Sequence, residues 1–344
     1  MRSVRFFALL VAMALLVSGC GQGQAVTKPP EPPPKVEPTT PPPPPQPESP
    51  LTGLPVDEQV AKRRPVGVMM GNSARERPQD GISRASVVYE MLAEGGITRL
   101  MALYLDNDAQ SIGPVRSARH YFLYAAAGHG AVYAHCGGSP QALADLKTLG
   151  VQNLDDMRDR GVMWRIRDRV APYNLYTSTA NLQYAVEERK WSTREPVAAP
   201  WGFRDEAATG RPGASVKIPY PNGNHGYTVQ YDYDSDSGMY RRSVDGQPHI
   251  DAQDGTQITA KTVIIIYVKT WLIPNDKDLR VDMDLVGSGK GLVVSDGKLR
   301  DITWSKKSKA SAFEFKETGG SKLSIRRGNV WVQVVPPAGT TLGS

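Results

Sequence analysis

Residues 65–72 read Pro65-Val66-Gly67-Val68-Met69-Met70-Gly71-Asn72, an apolar run of strand length entered through proline and closed by Gly-Asn. A run without polar alternation is what a strand buried on both faces requires. Ser86-Val87-Val88-Tyr89-Glu90-Met91-Leu92 reads as a second strand and residues 99–105 as a third. Helical patterns then intervene: residues 117–127 form a predicted helix entered through Gly113-Pro114, residues 131–134 another buried strand, residues 140–149 a helix stopped by Gly150, and residues 181–190 a closing helix. Such alternation predicts α/β layering.

Past a turn-rich bridge at residues 196–221 the texture changes to short strands, at residues 227–233, 239–244, 263–268, 292–294 and 299–304. Asp296-Gly297 and Gly328-Asn329 each sit between two strand-like runs as hairpin signals. The expected fold class is α+β: a mixed α/β N-terminal domain over residues 55–212, then a smaller, mainly β C-terminal domain over residues 213–344.

Upstream of both, Arg2 and Arg5 precede a twelve-residue apolar stretch that ends in Leu16-Val17-Ser18-Gly19-Cys20. This is the pattern of a lipoprotein signal, and the stretch is shorter than the roughly 20 residues that span a bilayer. Residues 1–19 are the expected signal peptide and Cys20 the lipidated first residue of the mature chain. Residues 20–54 then form a proline-rich linker, with Pro29-Pro30, Pro32-Pro33-Pro34 and Pro41 through Pro45, too poor in apolar side chains to bury a core. The expected location is the extracytoplasmic face of the cell membrane, held by lipid.

A net charge of +6 without lysine-rich blocks argues against a nucleic-acid partner. With Cys20 lipidated, Cys136 is left without a partner for a disulfide. His120, His129, His135, His225 and His249 lack the close pairing of metal sites, so no metal and no cofactor are expected.

The polar residues of the first domain gather in four clusters. These are Asn72 with Arg75, Arg77 and Gln79; Glu90 and Glu94 before Gly95-Gly96-Ile97-Thr98-Arg99; Gly113-Pro114-Val115-Arg116-Ser117-Ala118-Arg119; and His135-Cys136-Gly137-Gly138-Ser139. A helix beginning near Ser117 would turn its free N–H groups and positive dipole end toward an anion, and Arg116 and Arg119, three apart, would share a side and offer two planar forks. The competing reading pairs these arginines with Glu90 and Glu94 as scaffold. Ser139 with His135 lacks the Gly-x-Ser-x-Gly elbow of a hydrolase. A fifth group, Arg165, Arg167, Asp168 and Arg169 before Ala171-Pro172-Tyr173-Asn174, reads as paired surface, with Asn174 the better site candidate. Trp271, Trp304 and Trp331 with Tyr227, Tyr231 and Tyr233 fit core packing, or stacking on sugar rings.

Arg64 through Asn72, Arg77-Pro78-Gln79, Glu94 through Arg99, Gly113 through Arg119, His135 through Ser139 and Ala171 through Tyr176 resemble the YerB-like bacterial lipoproteins, as do Tyr240-Arg241-Arg242, Gly246-Gln247-Pro248-His249-Ile250-Asp251 and Ile302 through Lys306. The resemblance implies an N-terminal α/β domain followed by a smaller C-terminal one, and no established activity. Ser86 stands where that pattern has aspartate, and Tyr173 where it has histidine. Ile112-Gly113-Pro114-Val115-Arg116-Ser117 followed by a buried strand and a double glycine is more distantly similar to the LytR-CpsA-Psr phosphotransferases. That similarity implies arginines on a polyprenyl pyrophosphate and an acid holding magnesium.

The leading expectation is an anionic envelope lipid or wall polymer bound through Arg99, Arg116 and Arg119, with Glu94, His135 and Asn174 lining the site. One alternative is an enzyme resembling those phosphotransferases, the only reading that calls for Mg. The other is a non-catalytic module that meets a surface protein.

Overall fold

The strands β1 (Val66–Gly71), β2 (Val87–Leu92) and β3 (Thr98–Tyr104) are buried along their whole length, which is why their sequences show no alternation. β3 lies between the other two and antiparallel to both, with Val66 opposite Tyr104 and Val87 opposite Leu103. β4 (Val132–His135) runs parallel to β1, and β5 (Asn153–Asp155) parallel to β4. The computed structural model describes residues 46–192, 197, 199–220 and 227–337. These belong to one compact unit, Pro45–Ser344. The lipid signal, Cys20 and the linker up to residue 45 lie outside the described residues.

On the far side of β2 the sheet continues into the second half of the chain. Val330–Val335 lies parallel to β2, with Val87 opposite Val330, and parallel to Thr262–Tyr267 on its other flank. Gly287–Ser295, Lys298–Lys306 and Glu314–Glu317 follow, each antiparallel to its neighbour. Strands from both sides of residue 212 thereby form one eleven-stranded mixed sheet. A separate five-stranded antiparallel sheet is built on Ser215–Tyr220, Tyr227–Asp234 and Met239–Val244. The architecture is the mixed α/β fold with a β-rich C-terminal part.

Two turn readings had different outcomes. Asp296-Gly297 closes the hairpin between Gly287–Ser295 and Lys298–Lys306, with both turn residues left-handed at φ 52° and 69° and Ser295 opposite Lys298. Gly328-Asn329 closes none. Ser324–Arg326 pairs in parallel with Gly202–Arg204, while Val330–Val335, buried along its whole length, lies between two parallel neighbours in the sheet centre.

The helices are α1 (Glu58–Lys62), α2 (His120–Gly128), α3 (Pro140–Leu149) and α4 (Thr179–Glu188). α2 begins three residues later than its sequence suggests. Val115 bridges Met70 and Ala118 bridges Gly138, so the chain stays extended through Ser117. α2 is buried on nearly every side, whereas α3 presents only Ala142 and Leu146 to the core. Ser139 caps α3 by accepting the Ala142 N–H at 3.2 Å, Pro140 opens it and left-handed Gly150 ends it. Among the described residues no helix is long and apolar enough to cross a membrane.

Alternation along β2 joins the layers. Tyr89 points toward α2's end, its hydroxyl 2.8 Å from His129 Nε2. Glu90 points the other way, into the five-stranded sheet. Its Oε1 accepts from Asn72 (3.1 Å), Thr98 (2.8 Å) and Tyr227 (3.0 Å), its Oε2 from Arg242 (2.7 Å) and Gln333 (3.0 Å). His249 contacts Arg242 and Gln79, and Asp251 accepts the Gly81 and Ser83 N–H groups at 2.9 and 2.8 Å. Glu90 and Arg242 are wholly buried. Burial works against the charge on Arg242, but Glu90 together with Tyr227 and Tyr231 outweighs it and holds the guanidinium well above its ordinary pKa.

Candidate functional site

Three of the expected site residues meet. Glu94 opens a short 3-10 turn, Glu94–Gly96, made possible by Gly95 and Gly96 at φ 64° and 75°. Its Oε1 accepts from Arg99 and, at 2.6 Å, from Arg119, and its Oε2 from Arg119 Nε at 2.9 Å. The remaining donors go to backbone: Arg99 Nη1 to Ser117 O at 2.7 Å and Arg119 Nη1 to Ala118 O at 2.8 Å. The Glu94 side chain is 22% exposed, those of Arg99 and Arg119 only 3% and 9%. Burial alone would raise the Glu94 carboxyl, yet Arg99 and Arg119 hold it below the usual carboxylate range. Arg99 is brought down to about 10 by burial first and by the Arg119 charge next, against the pull of Glu94. Two cations share one anion, so the turn carries a surplus positive charge.

The other three lie elsewhere. Arg116, on the extended segment before α2, pairs with Glu76 at 2.5 Å and sits over the Tyr173 ring at 5.2 Å, so it does not share a helix side with Arg119. His135 is buried at the end of β4, Nδ1 2.9 Å from Gly137 O and Nε2 3.1 Å from Asn153 Oδ1. Asn174 closes a hairpin, donating to Ile166 O at 3.1 Å and accepting from Arg165 at 2.9 Å. Glu90 takes Arg242, an arginine of the second half, rather than any of the expected three.

What the sequence did not disclose is the wall beside Glu94. Thr270–Leu272 pairs with Val281–Met283 in a hairpin that stands off the main sheet. His120 Nε2 meets Asp282 Oδ1 at 2.7 Å, and the Gly95 N–H reaches Leu279 O at 3.4 Å. Between hairpin and body lies an apolar cleft of about 390 Å³ lined by Leu92, Gly95, Gly96, Trp271, Leu279 and Val281. Across Trp271 a second cleft of about 420 Å³ is of mixed character, with His120, Asp145, Asp282 and Lys309 beside Met283 and Leu285. Trp331 and Trp304 are core, as are Tyr227 and Tyr231, leaving Trp271 and Tyr233 half-open among them, of which Trp271 lines the clefts. The outward Leu272 and Leu279, in a stretch otherwise made of turn residues, were the available signal for this wall.

Magnesium does not fit here. Among the described residues no three His, Cys, Asp or Glu side chains stand close enough to hold a metal ion. Ser86, at the position where an acid would be needed, is buried with its Oγ accepting the Asp106 N–H at 3.2 Å.

Comparison with known proteins places this geometry in a lineage. The domain described as "Protein of unknown function (DUF3048) N-terminal domain" matches residues 51–192, and its C-terminal counterpart matches residues 216–332. A Bacillus subtilis (strain 168) protein named "Putative lipoprotein YerB" is 31% identical over 290 residues, covering 84% of this chain and 86% of its own length. The crystal structure of the YerB protein from Bacillus subtilis superposes with a TM-score of 0.77 at 29% identity, over 87% of this chain and all of that one.

Proposed function

The chain belongs to the DUF3048 family, and from that premise we propose that it is a lipid-tethered extracytoplasmic binding protein whose ligand is an amphiphile with an anionic head. Its apolar part would occupy the cleft between Leu92, Trp271, Leu279 and Val281, and its head would face the Glu94–Arg99–Arg119 cluster. One observation carries this reading: the apolar cleft opens on Gly95 and Gly96, directly beside a carboxylate that neutralises only one of two guanidinium groups. Apolar surroundings with a few convergent polar groups are the usual make-up of a small-molecule site. Arginine forks favour phosphate or carboxylate over a neutral head. The tether is supported by the pattern ending at Cys20 and by the name of the Bacillus relative.

Titration of the Pro45–Ser344 body with a polyprenyl monophosphate, and with the corresponding polyprenol, tests the reading. The phosphate should bind at least about tenfold more tightly at low salt, as a charge-assisted contact provides. Arg119→Gln should bring it down to the polyprenol level, and Leu279→Glu should remove both. Equal affinity for the two probes, or none for either, overturns the proposal.

A further inference from the structure

The segment from Asp155 to Tyr176, conspicuous in the sequence for its arginines, lines neither cleft. It turns sharply after Asp155, whose carbonyl accepts the Arg158 and Asp159 N–H groups at 2.8 and 2.7 Å, and then forms a hairpin in which Trp164–Arg165 pairs with Leu175–Tyr176. Arg165 lies 3.8 Å from Asp156, which brings the turn against the hairpin. Asp159 is held by Arg189 at 2.8 Å, and the Thr177 hydroxyl donates to Val162 O at 2.9 Å, so the segment is fixed to the body.

Its acids and arginines do not balance. Asp156 and Asp159 are engaged as described, while the side chains of the exposed Arg158, Arg160 and Arg167 have no hydrogen-bond or ion-pair partner among the described residues, and Asp168 is the one exposed acid of the segment. Arg169 is turned inward, donating to Glu76 O and Pro78 O at 2.9 and 2.7 Å. The same segment leaves Val170 75%, Met157 69% and Trp164 37% exposed. Unpaired guanidinium groups interspersed with outward apolar side chains and a tryptophan match the composition of protein surfaces that sit at headgroup depth.

We propose that this segment is a membrane-contact surface: Arg158, Arg160 and Arg167 bind the anionic headgroups of a lipid bilayer, while Trp164, Val170 and Met157 enter its interface. Charge complementarity, together with the outward apolar side chains, selects an anionic bilayer as the occupant. Only the tether is taken from the functional reading above. A body joined through twenty-four residues to a lipidated Cys20 stays at high effective concentration near a bilayer.

The test is co-sedimentation of the Pro45–Ser344 body, which carries its own core, with vesicles of phosphatidylcholine alone or mixed with phosphatidylglycerol. Sedimentation should require phosphatidylglycerol and weaken with salt. The triple variant Arg158→Gln, Arg160→Gln, Arg167→Gln should partition on the order of 100-fold less, about fivefold for each arginine, with an unchanged urea midpoint and unchanged binding of polyprenyl monophosphate. Leu279→Glu should sediment as the wild type does. Loss of sedimentation in Leu279→Glu but not in the triple variant would transfer the effect to the cleft and overturn the proposal. Equal competition by soluble polyglutamate would do so too, by pointing to an acidic macromolecule.

Discussion

His249 and His129 are buried where a positive charge has no welcome. Burial first and the neighbouring Arg242 next push His249 well below its ordinary pKa, and burial with Lys306 lowers His129 to about 3. Both are therefore neutral in the folded chain down to acid pH. Well above pH 6.5 neither the folded nor the unfolded form protonates these rings, and they add no pH dependence. Below it the unfolded chain takes up protons that the folded chain refuses, so stability falls as pH falls. The two rings together should make the body about 3 kcal/mol less stable at pH 5.5 than at pH 7.5. Urea midpoints that stay level across that interval would refute the assignment. Arg99 and Arg119 give the complementary lesson: the sequence placed them in separate clusters, Arg99 with Glu94 and Arg119 with Arg116, and nothing local said whether a ligand or Glu94 itself would meet the guanidinium groups.

At the level of elements, local chemistry was readable and long-range pairing was not. Asp296-Gly297 imposes its hairpin because both residues accept left-handed backbone. Gly297→Ala should cost about 1 kcal/mol or more, since its φ of 69° disfavours a Cβ and that atom would stand 3.0 Å from the Tyr233 ring. A urea midpoint equal to the wild type would contradict this. Gly328-Asn329 offers the same kind of residues, yet the strand after it pairs with β2, more than two hundred residues earlier. Turn residues permit a hairpin; only the burial available to the following strand decides whether one forms. Ser215–Tyr220 forms a strand inside what reads as a turn-rich bridge, and the Thr270–Leu272 and Val281–Met283 pair was not legible. The buried strands of the first half and three of the helices followed from apolar period and caps. The clefts did not, because their walls come from separate stretches near Leu92, His120, Gln141 and Trp271.

For the whole molecule the decisive strand is Val330–Val335. Flanked in parallel by β2 and Thr262–Tyr267, it is the seam of the eleven-stranded sheet, and Gln333 within it also reaches Glu90 and Tyr231. A chain truncated before Val330 should lose cooperative folding altogether rather than shed one half, with near-ultraviolet circular dichroism and protease resistance vanishing together. Retention of a sharp unfolding transition by the truncated chain would show that the first half holds its own sheet. The same position has a bearing on time. A polypeptide emerges from its N-terminus onward, so β1, β2 and β3 are made long before the partner that completes them. Until residue 335 has been made the sheet lacks its middle, so the strands of the first half wait unpaired on one edge for almost the whole of synthesis.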